Sequence, residues 1–97
     1  MRYAVNLPRV GVTRVAESDA PIETVVAHVI VWCGRDDGPW PVGTHIAYVS
    51  DGDSIRRMEV EVTSSGGDGR GYQVNEVPGP ITTNAAAALL AALRVES

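Results

Sequence analysis

Ile22-Glu23-Thr24-Val25-Val26-Ala27-His28-Val29-Ile30-Val31-Trp32-Cys33 is the stretch on whose reading the topology turns. Seven of its twelve residues are β-branched, which favours a strand because branching at Cβ restricts side-chain freedom in a helix. Its periodicity says helix: Ile22, Val25, Val26, Val29, Ile30 and Cys33 share one stripe, and Glu23, Thr24, Ala27 and His28 share the other. The flanks also suit a helix, with Ser18 or Asp19 as cap, Pro21 in the first turn and Gly34 past the end. As a strand it would be buried on both sides, with Val25, Ala27, Val29 and Val31 opposed to Val26, His28, Ile30 and Trp32. The two readings are nearly balanced, and the β-branched content tips the expectation slightly toward strand.

Outward from this stretch the pattern is plainer. Upstream, Arg2 to Asn6 and Val10 to Ala16 read as two strands around the Leu7-Pro8 interruption. Downstream, Arg35 to Gly43 reads as a loop carrying Asp-Asp-Gly-Pro and Trp-Pro-Val-Gly turn chemistry. Ile46 and Tyr48 alternate in a third strand, which turns at Asp51-Gly52-Asp53. Met58, Val60 and Val62 then alternate with Arg57, Glu59, Glu61 and Thr63, and Tyr72 and Val74 with Gln73 and Asn75, across the glycine-rich link 64–69. These segments predict an antiparallel meander with a dry and a wet face. After Val77-Pro78-Gly79-Pro80, one of Thr82, Thr83 and Asn84 caps a helix over about 85–95, with Ala86, Leu89, Leu90 and Leu93 on its heavy stripe. Laid across the dry face, that helix would cover Met58, Val60, Val62 and Tyr72. The expected fold is a single α+β domain over residues 1–97: an antiparallel sheet of four to six strands with a C-terminal Ala/Leu-rich helix on one face.

Composition bounds the function classes. The net charge of −4 argues against nucleic acid as a partner, which needs clustered positive charge. No apolar run approaches the roughly 20 residues of a membrane span, and with no long apolar stretch after Met1-Arg2-Tyr3-Ala4 no signal peptide is expected. A single cysteine allows no intramolecular disulfide, so a reducing, cytoplasmic setting is expected, or a virion interior if the gene belongs to a phage. All eight basic residues are arginine, phenylalanine is absent and Ala, Val and Gly abound. That bias is the mark of a GC-rich coding sequence, such as an actinobacterium's or its phage's.

Residues able to carry chemistry are few. Cys33 with His28 or His45 would form a thiol–imidazole pair in a cysteine-dependent catalytic or small-ligand domain, the alternative function, but Cys33 ends an apolar run where free cysteine is usually core. No metal site is expected: three Cys and His candidates fall short of the four ligands of structural zinc, and Asp36-Asp37 and Asp51-Gly52-Asp53-Ser54 lack the further oxygen ligands of a calcium loop. The glycine run 66–71 leads into a strand, whereas phosphate-cradling loops lead into a helix, and no cofactor is expected. Trp40 and Arg35 mark one candidate interface; the last helix offers another, with small residues on more than one face, Ala87 and Ala91 and, as the expected interface, Ala88 and Ala92. The expected role is a non-enzymatic interaction or structural module that binds a protein partner or a second copy of itself.

Read with a helix at 22–33, the order helix, three strands, helix over Ile22 to Val95 resembles the topology of the double-stranded RNA-binding domain. That family opens its last helix with a lysine-rich phosphate grip; here Thr82-Thr83-Asn84-Ala85 contains no basic residue, and the resemblance implies no RNA partner.

Overall fold

A computed structural model describes residues 1–37, 41–64 and 70–95, with side chains at 1–30, 41–63 and 71–94. The chain runs β1 (Arg2–Leu7), β2 (Val12–Glu17), α1 (Ile22–Asp37), β3 (Gly43–Ser50), β4 (Ile55–Ser64), β5 (Arg70–Glu76) and α2 (Thr83–Val95). The five strands form one antiparallel sheet in the order β2-β1-β3-β4-β5. The α+β fold with an antiparallel sheet and a C-terminal helix packed against it is the one the sequence predicts.

The ambiguous stretch is helical, and its helix continues to Asp37, so Arg35 to Asp37 are helix and not loop. Val25, Val26, Val29 and Ile30 are buried, while Glu23 and His28 are exposed. Periodicity therefore prevails over β-branching. A propensity penalty of a few tenths of a kcal/mol per residue is small beside the roughly 1.5–3 kcal/mol gained by burying each Val or Ile. The helix starts where the Pro21 carbonyl accepts from Thr24 N and Val25 N, at 3.0 and 3.1 Å. Ser18 shapes the approach by accepting from Ala20 N through Oγ at 3.0 Å.

Each helix takes a different face of the sheet. Opposite α1 lie Val5 and Leu7 of β1, Ala47 and Val49 of β3, Met58, Val60 and Val62 of β4 and Val74 of β5, with Tyr3 and Tyr72 at the margin. Opposite α2 lie Ala4, Tyr48 and, less buried, Val15, Ile46 and Ile55. The expectation that the last helix covers Met58, Val60, Val62 and Tyr72 is thus corrected: α1 covers them. The register supplies the reason. Ala47 pairs with Met58 and Tyr48 with Arg57, so Ile46 and Tyr48 belong to the face of Arg57 and Glu59. That face is oily over β2, β1 and β3 and, beyond Ile55 at the start of β4, polar over β4 and β5, and α2 packs on the oily three strands.

The connections follow from local chemistry. Gly11, at φ +66°, adopts the left-handed backbone that closes the β1–β2 turn, and its N–H donates to Leu7 O at 2.9 Å. Beyond β5, the 77–81 segment crosses the sheet end to bring α2 to the second face. Val77 N donates to Arg57 O at 3.1 Å, and Gly79 lies so close to the Arg57 side chain that a Cβ would stand 3.0 Å from its Cδ. Thr82 then caps α2, its Oγ1 accepting from Ala85 N at 3.2 Å. At the other end the Arg2 guanidinium donates to Leu93 O, placing positive charge on the carbonyl end of the helix.

Leu89 is fully buried under α2, whereas Leu90 is 48% exposed. Leu89→Ala is expected to lower unfolding free energy by about 2–5 kcal/mol, and Leu90→Ala by no more than about 0.5 kcal/mol, in urea denaturation of the two variants. Equal effects would show that α2 does not pack on the sheet in this orientation.

Candidate functional site

Among the described residues, the two histidines singled out for chemistry stand on different elements. His28 projects from the outward side of α1, where it borders shallow grooves on both flanks of the helix. His45 stands on β3 opposite Val60, half-buried, with Nε2 2.8 Å from Pro41 O. The backbone of Cys33 lies in α1, and its side chain is outside the described residues, as are those of Arg35, Asp36 and Asp37; Trp40 lies outside them altogether. Among the described residues no three His, Cys, Asp or Glu are grouped so as to hold a metal ion.

Asp51 has a structural occupation. Its Oδ1 accepts from Asp53 N at 2.9 Å and from Ser54 N at 3.0 Å, closing the β3–β4 turn. These backbone donors, with a smaller contribution from the Arg56 charge, hold its carboxyl below the ordinary value of 3.8. The buried Ser50 Oγ accepts from Gly52 N at 3.1 Å on the same turn.

Among the described residues, three surfaces stand out as places for a partner, beside the shorter sheet edge at β2. The first is the outward row of α2, where Ala87, Leu90 and Ala91 are exposed. Of the alanines singled out on this helix, Ala92 is half-buried against the Ala4–Tyr48–Leu89 cluster, and Ala88 borders a groove with Gly11 and Thr13. Of the two small-residue rows the sequence offers, the outward one is Ala87 and Ala91 and not the Ala88 and Ala92 row expected as the interface; helical phase relative to the buried Ala85 and Leu89 distinguishes them. The second surface is the polar half of the α2 face, with Glu59 half-buried and Glu61, Thr63, Gln73 and Asn75 exposed. Arg57 is held to one side, 3.5 Å from Glu59 and donating to Val77 O at 3.4 Å.

The third is the edge of the sheet at β5. Among the described residues β5 has a hydrogen-bonded neighbour on the β4 side alone. Beside it α1 and β5 enclose an open groove of about 310 Å³ lined by Glu23, Thr24, Ala27, His28, Tyr72, Gln73 and Val74. The strand's alternation puts Tyr72 and Val74 toward α1 and exposes Gln73 and Asn75 on the other face. Glu76, at its end, pairs with Arg56 of β4 at 3.3 Å, both side chains being 43% exposed.

Among the described residues no helix is long and apolar enough to cross a membrane. Compared with known proteins, the chain matches no family model, and no curated protein or solved structure is significantly similar to it.

Because the folded-state pKa of Asp51 is lowered, its contribution to stability is present above the unfolded value near 3.8 and is lost as pH falls through the lower folded value. Asp51→Ala is expected to destabilise the protein by about 1 kcal/mol at neutral pH, two turn hydrogen bonds being lost at a solvated site. The gap to the parent protein should narrow below pH 3.8 in a urea series at several pH values. A gap that is constant through acid would show that the carboxylate charge has no part in the turn.

Proposed function

We propose that this chain is a protein-interaction module that works by associating with other protein chains, its own copies first, and not by catalysis. The observation that carries the reading is the open β5 edge. Exposed edges offer unpaired N–H and C=O groups to any extended chain, and folded proteins usually blunt them with proline, lysine, bulges or extreme shortness. β5 is seven residues long, contains neither proline nor lysine, and keeps its charged residues at its two ends. The groove beside it supplies half-buried Tyr72 and Ala27 next to those backbone groups, the combination by which added strands gain both affinity and selectivity. The outward row Ala87, Leu90, Ala91 gives a further apolar contact on the opposite side of the molecule. With one cysteine and a net charge of −4, the module suits a reducing cytoplasm and protein partners in preference to nucleic acid. Its arginine-only basic set fits a small accessory protein coded by a GC-rich genome, that of an actinobacterium or its phage.

Native mass measurement and sedimentation equilibrium over a concentration series test the self-association. A dimer that dissociates on dilution is the expected result. A chain that remains strictly monomeric at millimolar concentration overturns it.

A further inference from the structure

Resting on the reading that the chain self-associates, we infer that the partner of β5 is β5 of a second copy, paired antiparallel about a two-fold axis at Gln73. An antiparallel strand pair between identical chains is isologous, so every residue must suit its own mirror position along the strand. β5 reads Arg70-Gly71-Tyr72-Gln73-Val74-Asn75-Glu76, and Gln73 is its middle residue. Centred there, Arg70 stands opposite Glu76 of the second copy at both ends of the ladder. Tyr72 stands opposite Val74 of the second copy on the α1 face. Gly71 stands opposite Asn75 of the second copy, and Gln73 meets its own twin on the other face. Opposite charges, an aromatic–aliphatic pair and an amide pair are the cross-strand combinations that stabilise antiparallel ladders.

Other registers lose this match. A Tyr72 centre sets Arg70 against Val74, and a Val74 centre sets Tyr72 against Glu76. The β2 edge, Val12–Glu17, is poorer too. An Arg14 centre there opposes two arginines, and a Val15 centre brings no opposite charges together. Only the Gln73 centre also uses all seven residues of its strand, so the self-match and the longest ladder coincide. Pairing about this axis extends the sheet to ten strands and lays the two α1 helices along the same face. The groove at Thr24, Ala27 and Tyr72 in each copy is then closed by the other. The exposed Arg56–Glu76 pair does not stand in the way, because a solvated carboxylate accepts from two guanidinium groups and such surface pairs hold little energy.

The test uses the full chain in a Cys33→Ser background with a cysteine introduced at one strand position. Directly opposed antiparallel residues have Cα atoms about 4.5–5.5 Å apart, within the span a disulfide bridges. Gln73→Cys should therefore give a disulfide-linked dimer within minutes of mild oxidation, while Asn75→Cys, also exposed but offset from its twin by four strand positions, should not. Arg70→Glu alone should weaken dimerisation about tenfold, and Arg70→Glu/Glu76→Arg should restore it to within about threefold of the parent chain. Equal cross-linking at 73 and 75, or a dimer indifferent to both the single and the paired reversal, overturns this interface while the wider self-association reading stands. A parent chain that is monomeric throughout overturns both.

Discussion

Burial of β1 and β3 on both faces is the constraint from which the architecture follows. Ala4 and Val5 are adjacent and fully buried, as are Ala47 and Val49 on either side of the nearly buried Tyr48. Adjacent strand residues point to opposite faces, so no single covering layer can shield such a pair. The sheet must carry a helix on each side. α1, following β2 directly, takes one face; the 77–81 segment brings α2 around the sheet end to the other. Neither helix is long, and neither would persist alone in water; each is held by the apolar stripe it lays on the sheet.

Much of this was legible in the sequence, and what was not has a definite cause. Strand alternation in β4 and β5, the alanine-rich helix and the turn at Asp51 are local properties, and local reading located them. The stretch at 22–33 set propensity against periodicity, and the periodic stripe was the better guide because its cost is paid per residue in tenths of a kcal/mol while burial returns whole ones. The face taken by α2 was not local at all. Met58, Val60 and Val62 made an obvious dry side, but the counterpart on the other side is assembled from residues far apart in sequence: Ala4, Val15, Ile46, Tyr48 and Ile55. Only the pairing of Tyr48 with Arg57 and Ile46 with Glu59 shows that those two strands turn their apolar and charged residues to the same face.

That mismatch also explains the unequal cover of the second face. Over β2, β1 and β3 it is apolar enough to bury a helix. Over β4 and β5 it bears Glu59, Glu61, Thr63, Gln73 and Asn75, and burying the Arg57–Glu59 ion pair together with the Glu61 carboxylate would cost more than the strands' remaining apolar area could offset. Water is the cheaper neighbour there. The consequence is that β5 has its apolar residues, Tyr72 and Val74, entirely on the α1 side, so the hydrophobic part of any contact at this edge must form beside α1.

The candidate site was less legible than the fold, for a reason of kind. Cys33, His28, His45 and the paired aspartates draw attention because their side chains are chemically distinctive, yet Asp51 serves its own turn and the two histidines stand on separate elements. An edge has no such residue signature. Arg70 to Glu76 is an ordinary alternating strand until the order β2-β1-β3-β4-β5 places it last. Position then changes the meaning of its composition: the same residues that in a central strand would face two fixed neighbours here face an undetermined one. A sequence whose charges oppose each other across its own midpoint, and whose aromatic and aliphatic residues do the same, limits that neighbour more sharply than an edge of uniform charge would. A uniformly charged strand repels its twin, and this one does not.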